Sequence, residues 1–343
     1  MTHTPPRIEQ LHNWLARQLP DTGFTLTPAS SDASFRRYFR LSRDADADAS
    51  LIVMDAPPPQ EDCRPWLAIA ELFRRANVHV PAVLAENVSD GFLLIEDLGN
   101  TTYLDILRAP DCTPHAAAHL YADAIGALLA LQAASRPNVL PDYSAALLRR
   151  ELMLFPEWYI ARHKGIALAP AEAAMLTDTF EHIIAVNLAE PQVFVHRDYH
   201  SRNLMHTPRA NPGIIDFQDA VYGPLTYDLV SLFKDAYIDW DEEFTLDLLA
   251  RYWEMARKLG LPVRTDFADF HREYEWMGVQ RHLKVLGIFA RLSHRDGKDG
   301  YLADMPRVMR HLRKTCERYH AFGPLLKLLD RLEPTPLEYG YTF

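Results

Sequence analysis

Two aspartates and an asparagine hold the chemistry this sequence can do. Asp198 and Asn203 share the stretch His196-Arg197-Asp198-Tyr199-His200-Ser201-Arg202-Asn203, and Asp216 stands thirteen residues after Asn203. Phosphoryl transfer needs such a set. One carboxylate holds an acceptor hydroxyl in line and takes its proton, while an Asp and an Asn hold magnesium across nucleotide phosphates. Magnesium is a hard ion that takes oxygen ligands, which suits Asn203 and Asp216, with Asp219 close enough in sequence to assist. His196 is expected to hold the loop geometry beside the base, Asp198. Two plainer readings compete. The loop's polar groups could simply satisfy its own backbone. His196, His200 and His206 could bind zinc, but no regular spacing aligns all three and no cysteine joins them.

These residues need positioning elements. Val193-Phe194-Val195 is a β-branched and aromatic run, so His196 enters a loop from a strand end. Leu204-Met205 reads as a second short strand, a Pro/Asn/Gly turn follows, and Gly213-Ile214-Ile215 leads into Asp216. Upstream, Ile8, Leu11, Leu15 and Leu19 recur at helical spacing over residues 6–19. Strands are expected at 24–27, 35–41, 51–54, 81–87 and 92–95, with a helix from about 62 to 76. From Tyr103 the chain reads mostly helical, with segments at 116–134, 144–163, 246–259, 269–293 and 305–330.

A chain of 343 residues is long enough for two lobes, each with its own core. The net charge of −10 argues against nucleic acid as a partner. Cys63, Cys112 and Cys316 are scattered and form no C-x-x-C pair, as in a reducing compartment. The N-terminus MTHTPPRIEQ lacks the apolar centre of a signal peptide, and no run approaches the ~18 apolar residues of a membrane span. The expected location is the cytoplasm, with no membrane partner.

The pattern H-x-D-x-x-x-x-N, then D, resembles the catalytic and metal loops of the protein-kinase-like superfamily. Its fuller form, HRDY, NLM, IDFQD, GP and YDL in that order, resembles the aminoglycoside-phosphotransferase and choline-kinase branch. Asp216-Phe217-Gln218 stands where Asp-Phe-Gly is usual, which favours a branch with no regulated activation loop. The resemblance implies an α+β, bilobal fold. Residues 1–97 would form a small N-terminal β-sheet lobe for the nucleotide, and residues 98–343 a larger, mostly helical catalytic and substrate lobe. It implies ATP and Mg2+ as cofactors. Ser31-Asp32-Ala33-Ser34 takes the place of the phosphate-binding hairpin tip, without a glycine. Glu96 and Leu98 take the place of the adenine-binding hinge, and Asp228 that of the aspartate bracing the catalytic loop. The usual strand lysine is missing: Met54 and Asp55 occupy its region, and no lysine precedes Lys164. Arg36, Arg37 and Arg64 are the candidate replacements, since arginine forks onto phosphate oxygens.

Three further stretches narrow the resemblance: SSDASFRRYFR with VMDAPPPQ, LLRRELMLFPEWY, and MGVQRHLKVLGIFARL with HRDGK. With the core motifs they resemble the bacterial anomeric amino-sugar kinases of cell-wall recycling, which phosphorylate N-acetylmuramate and N-acetylglucosamine at the C1 hydroxyl. That implies a small sugar as partner, a 1-phosphate passed to a uridylyltransferase, and a monomer. Arg150, Glu151, Arg281 and Lys284 are then the candidate sugar contacts. Gln280, Lys284 and Arg291 share one helical face with Arg281 on its flank, and these cations are expected either to meet the carboxylate of N-acetylmuramate or to pair with buried acids of the same lobe. Arg149 and Arg150 are the next candidates for that carboxylate. Two alternatives remain open at this level. One is another small-molecule kinase acting on an aminoglycoside, choline or a homoserine-like alcohol; the other is a catalytically dead kinase-like binding module.

Overall fold

The computed structural model describes residues 6–20, 23–31, 35–43 and 46–333. In chain order, the first elements are α1 (Arg7–Gln18), β1 (Phe24–Ser31), β2 (Arg37–Arg43), β3 (Asp46–Asp55), α2 (Arg64–Arg75), β4 (Val83–Asn87) and β5 (Phe92–Glu96). Then come α3 (Tyr103–Leu107), α4 (Pro114–Ala133), α5 (Ala145–Leu154), α6 (Pro170–Leu188), β6 (Gln192–Val195), β7 (Leu204–Met205), β8 (Gly213–Ile214) and β9 (Val221–Pro224). The chain continues through α7 (Tyr227–Phe233), α8 (Glu242–Lys258), α9 (Phe267–Asp296), α10 (Met305–Arg318) and α11 (Gly323–Leu332). The α+β reading holds, with strands early and helices late.

Two units divide the chain. Met1–Thr102 and Leu204–Gln218 form one, and Tyr103–Asn203 with Asp219–Phe343 form the other. A single cut at Asp97, expected from sequence, does not describe this arrangement, because a segment from the middle of the chain belongs with the sheet.

In the sheet unit, antiparallel pairing gives the order β1-β2-β3-β5-β4. One face buries Leu41, Val53, Phe92 and Leu94 against Leu11, Trp14 and Leu15 of α1, the apolar stripe its periodicity predicts. The β4–β5 turn needs Gly91 (φ +72°), where a Cβ would lie 1.9 Å from the carbonyl oxygen of Ala56. The late segment, paired within itself by the β7–β8 ladder, is joined to the rest of the unit by Ile214 N donating to His79 O at 2.7 Å, by His206 N donating to Thr101 O at 2.9 Å, and by Phe217. The Phe217 ring lies 5.0 Å from that of Trp66 and 5.7 Å from that of Phe73, both on α2.

In the helical unit, side-chain caps start the helices where the sequence offers them. Thr113, Ser144, Asp241 and Asp266 accept from backbone amides at the starts of α4, α5, α8 and α9. The 30-residue α9 is buried around nearly its whole circumference and packs against α5, α6, α7 and α10, making it the axis of the unit. Just past α5, Phe155–His163 continues as a wider π-type helix, with Lys164 N bonding to Tyr159 O at 2.9 Å. The 20-residue α4 has the length and apolarity of a membrane span, which the expectation of no such run overlooked. Its Leu120, Tyr121, Ala124, Ile125 and Leu128 are buried in the unit.

Candidate active site

In the helical unit, β6 delivers the chain to the loop that carries Asp198. Asp228, on the first turn of α7, accepts from His196 N at 2.6 Å and from Arg197 N at 3.0 Å. One buried carboxylate thus holds two successive amides and helps keep Arg197 at φ +78°, a left-handed conformation costly for a side chain of this size. The buried His196 ring accepts from Asp198 N through Nδ1 at 3.2 Å. The loop then closes on itself, His200 N and Asn203 Nδ2 both donating to Asp198 O at 3.0 Å. Asp235 fixes its far side, accepting from Ser201 N at 2.9 Å and Ser201 Oγ at 2.5 Å. The result is a rigid loop with the Asp198 side chain 41% exposed.

Beneath the loop lies a buried ionic network. Glu151 of α5 accepts from Arg197 Nη2 at 2.6 Å and Gln280 Nε2 at 3.0 Å, pairs with Lys284 Nζ at 3.1 Å, and also accepts from Tyr143 Oη. Lys284 Nζ donates to Tyr227 Oη at 2.8 Å. Arg281 Nη1 donates to Arg197 O at 2.9 Å and Tyr227 Oη at 3.2 Å, and its Nη2 lies 3.7 Å from Asp198 Oδ1. Burial alone would raise the Asp198 carboxyl; Lys284 and Arg281, then His200 and Arg197, overcome it and hold that carboxyl well below the usual range. Glu151 is likewise lowered, its burial outweighed by Lys284 and Arg197. Asp228 goes the other way. Burial pushes it up to about 7 against the two amides that favour its ionised form.

The geometry decides between the two readings of α9 in favour of pairing within the unit. Lys284, Arg281 and Gln280 are 5% exposed or less, and their donors are committed to Glu151, Tyr227 and Arg197. They form the floor under Asp198 instead of presenting open cations to a ligand. Arg149 is paired bidentately with Glu181 at 2.6 Å, and Arg150 is exposed.

In the sheet unit, Asp216 follows β8 at φ +63° and accepts from Gln218 Nε2 at 2.8 Å, while Phe217 is fully buried. Asp216 is thus an exposed carboxylate in a strained conformation, anchored by the next residue's ring. The hinge candidate is braced by Arg40, which donates to Asp97 at 2.6 and 3.1 Å and to Gly99 O at 3.2 Å; Ser50 Oγ adds a bond to Asp97 at 2.6 Å. Glu96 N donates to Ala82 O at 2.9 Å, leaving the amide of Leu98 as the hinge donor to consider. Asp32, Ala33 and Ser34 lie outside the described residues, and Ser31 ends β1. Met54 is fully buried and Asp55 is clamped by Arg7 at 2.6 Å and by Arg37. Arg36 Nε lies 3.4 Å from Glu61, and Arg64, 75% exposed, pairs with Asp62.

Each candidate ligand, taken within its own unit, offers the oxygen that a hard cation takes. Asp216 offers a carboxylate, and the Asn203 amide, its nitrogen turned to Asp198 O, has its oxygen on the other side. Asp219 is exposed, and its carbonyl accepts from Arg197 Nη1 at 3.2 Å. No cluster of three His, Cys, Asp or Glu able to hold a metal occurs among the described residues, so the zinc reading of His196, His200 and His206 fails.

Sequence reasoning passed over Asp235, Tyr143, Tyr227, Arg40 and Asp97. Asp235 had a signal, since it follows Asp228 by seven residues and can return to the same loop. Arg40 and Asp97 had none, being 57 residues apart.

A partly exposed, ionised carboxylate on a braced loop over buried cations is the equipment of a phosphotransferase acting on a hydroxyl. The model of the phosphotransferase enzyme family matches residues 25–261, and the chain belongs to that family. It is 48% identical over 336 residues to the N-acetylmuramate/N-acetylglucosamine kinase of Neisseria meningitidis serogroup B, covering 97% of this chain and 98% of the relative. The enzyme of the same name from Pseudomonas aeruginosa is also 48% identical, over 95% of this chain and 97% of its own. In three dimensions, a choline kinase from Streptococcus pneumoniae matches with a TM-score of 0.62 at 12% identity, over 90% of this chain and 100% of its own, a likeness of fold alone.

Proposed function

We propose that this chain is an ATP- and magnesium-dependent kinase that phosphorylates the anomeric C1 hydroxyl of N-acetylmuramate and N-acetylglucosamine. The observation that carries the reading is the 48% identity, over nearly the full length of both chains, to kinases named for these two sugars. Asp198 accepts the C1 hydroxyl as a hydrogen-bond donor and points its oxygen at the γ-phosphorus. The new oxygen–phosphorus bond forms as the bond to the ADP oxygen breaks, and the hydroxyl proton passes to Asp198. Because its cationic neighbours keep Asp198 ionised, it is a weak base. Its main contribution is orientation, with the proton moving late.

Asn203 and Asp216, assisted by Asp219, are the proposed magnesium ligands; the bound ion would neutralise charge on the phosphates. For the nucleotide, the reading assigns residues 31–34 and Arg36 to the phosphates and the Glu96–Leu98 segment to the adenine. Arg37, already forked onto Asp55, is the weaker candidate. Glu151, Arg281 and Lys284 act by placing Asp198, and Arg150 is kept as a candidate sugar contact. The product is a sugar 1-phosphate, the kind of compound a uridylyltransferase consumes. In this reading the protein works as a monomer in the cytoplasm on recycled cell-wall sugars.

A coupled assay of ADP release tests the reading with N-acetylmuramate, N-acetylglucosamine, an aminoglycoside and choline as acceptors. Turnover of the two sugars, with loss of their reducing ends, is expected. Turnover of choline or the aminoglycoside alone, or a product that still reduces, would overturn it.

A further inference from the structure

Lys284 and Arg281 are buried with their donors committed to Glu151, Tyr227 and Arg197, so neither is open to the carboxylate of N-acetylmuramate. We infer that Arg202, on the catalytic loop itself, receives it. This rests on the proposed function and names the residue that would separate its two sugars.

Arg202 is exposed and lies between Asp198 and Asn203, in the stretch closed by the Asn203–Asp198 bond. Its guanidinium carbon sits 4.2 Å from the centre of the Tyr237 ring and 5.6 Å from that of Tyr301. The platform is itself rigid. Tyr237 N donates to Asp235 Oδ1 at 2.9 Å, the carboxylate that also fixes Ser201, so one group anchors both the loop and the ring beneath its arginine. The Phe289 ring of α9 backs Tyr237 at 6.0 Å and Tyr301 at 5.1 Å. Among the described residues, no Asp or Glu forms an ion pair with Arg202, whereas Arg149, Arg197 and Arg281 each have one.

A guanidinium held over aromatic rings, with one N–H toward the Tyr237 hydroxyl, keeps further N–H groups for a carboxylate. Holding it in advance lowers the ordering cost of binding. The placement suits the chemistry, because the lactyl ether of N-acetylmuramate is on C3, two ring carbons from the C1 hydroxyl that Asp198 must hold. A site reading both groups therefore needs a base and a cation on closely linked segments, and residues 198 and 202 share one loop. The same fork could instead bind a nucleotide phosphate, so the test carries an ATP arm.

Arg202→Gln should lower the ratio of kcat/KM for N-acetylmuramate to that for N-acetylglucosamine by about ten- to a hundredfold. Arg202→Lys, which keeps the charge but not the fork, should fall between. In the unaltered protein, raising ionic strength should raise KM for N-acetylmuramate more than for N-acetylglucosamine, an arm that needs no variant. An unchanged ratio, with both sugars losing equally, would overturn the inference and make Arg202 a support of the loop. A rise in KM for ATP with the ratio intact would overturn it in favour of a phosphate contact. If the unaltered chain turned over neither sugar, the proposed function would fall as well; turnover of both with an unchanged ratio would sink this inference alone.

Discussion

Asp198 and Asp228 serve the same loop, one partly exposed and one buried beneath it, and their environments push them in opposite directions. Asp198→Asn should cut turnover by roughly 10²–10⁴ while leaving nucleotide affinity intact, since its carboxylate acts on the acceptor. Turnover within a few fold of the unaltered protein would remove Asp198 from its role. Because Asp198 stays ionised far below neutrality, an acid limb near pH 7 belongs to Asp228. As pH falls through about 7, Asp228 gains a proton and loses acceptor capacity toward His196 N and Arg197 N, so kcat should drop. Its effect on stability has the opposite sign. A carboxyl raised in the folded state contributes stability that is fully present below 3.8 and is lost as pH rises through about 7. A kcat profile flat from pH 8 down to 5 would contradict the assignment. Asp198, Asn203 and Asp216 were legible in the sequence because their types and spacing survive without any fold. Tyr143 and Tyr227 were not, because a tyrosine looks the same whether its hydroxyl meets a carboxylate or water.

At the scale of elements, α9 was legible as a helix but not in what its polar side chains do. Its basic residues read equally as ligand contacts or as partners of buried acids, and only packing against α5 and α7 shows them spent on Glu151 and Tyr227. Lys284→Met should therefore depress kcat for both sugars together and cost about 3–5 kcal/mol of stability, because it leaves Glu151 with less compensation in a buried site. A selective loss on one sugar would restore Lys284 as a substrate contact. One turn further on, Gly287 meets the end of α5: a Cβ there would lie 2.4 Å from the carbonyl carbon of Leu154 and 2.5 Å from its oxygen. Alanine is better by about 1 kcal/mol in an isolated helix, but backbone cannot yield as a side chain would. Gly287→Ala should thus destabilise by about 1–3 kcal/mol, read as a lower melting temperature. An unchanged or higher value would show that α5 and α9 can part at no cost. The wide helix after Leu154 begins at this close approach, and no propensity in FPEWYIARH announces it.

For the whole molecule, strand and helix order was readable from periodicity, and the membership of the units was not. Residues 204–218 look in sequence like part of the catalytic segment, yet Phe217 fills the space between Trp66 and Phe73, and Ile214 bonds to His79. Long-range packing of this kind leaves no periodic trace. A fragment ending at Thr102 should accordingly lack a cooperative thermal transition, and adding a peptide of residues 204–218 should restore near-ultraviolet dichroism from Trp66. A fragment that melts cooperatively by itself would show that the sheet unit closes without Phe217.

That late segment also sets a schedule on the ribosome. The sheet strands emerge first, but their closing piece is not made until translation has passed Gln218, more than a hundred residues after Thr102. At ordinary elongation rates the wait is on the order of ten seconds. Throughout it the nascent chain carries Trp66 and Phe73 without the ring that covers them, so chaperone capture of this protein during synthesis should concentrate on α2 and end once Phe217 has cleared the exit tunnel.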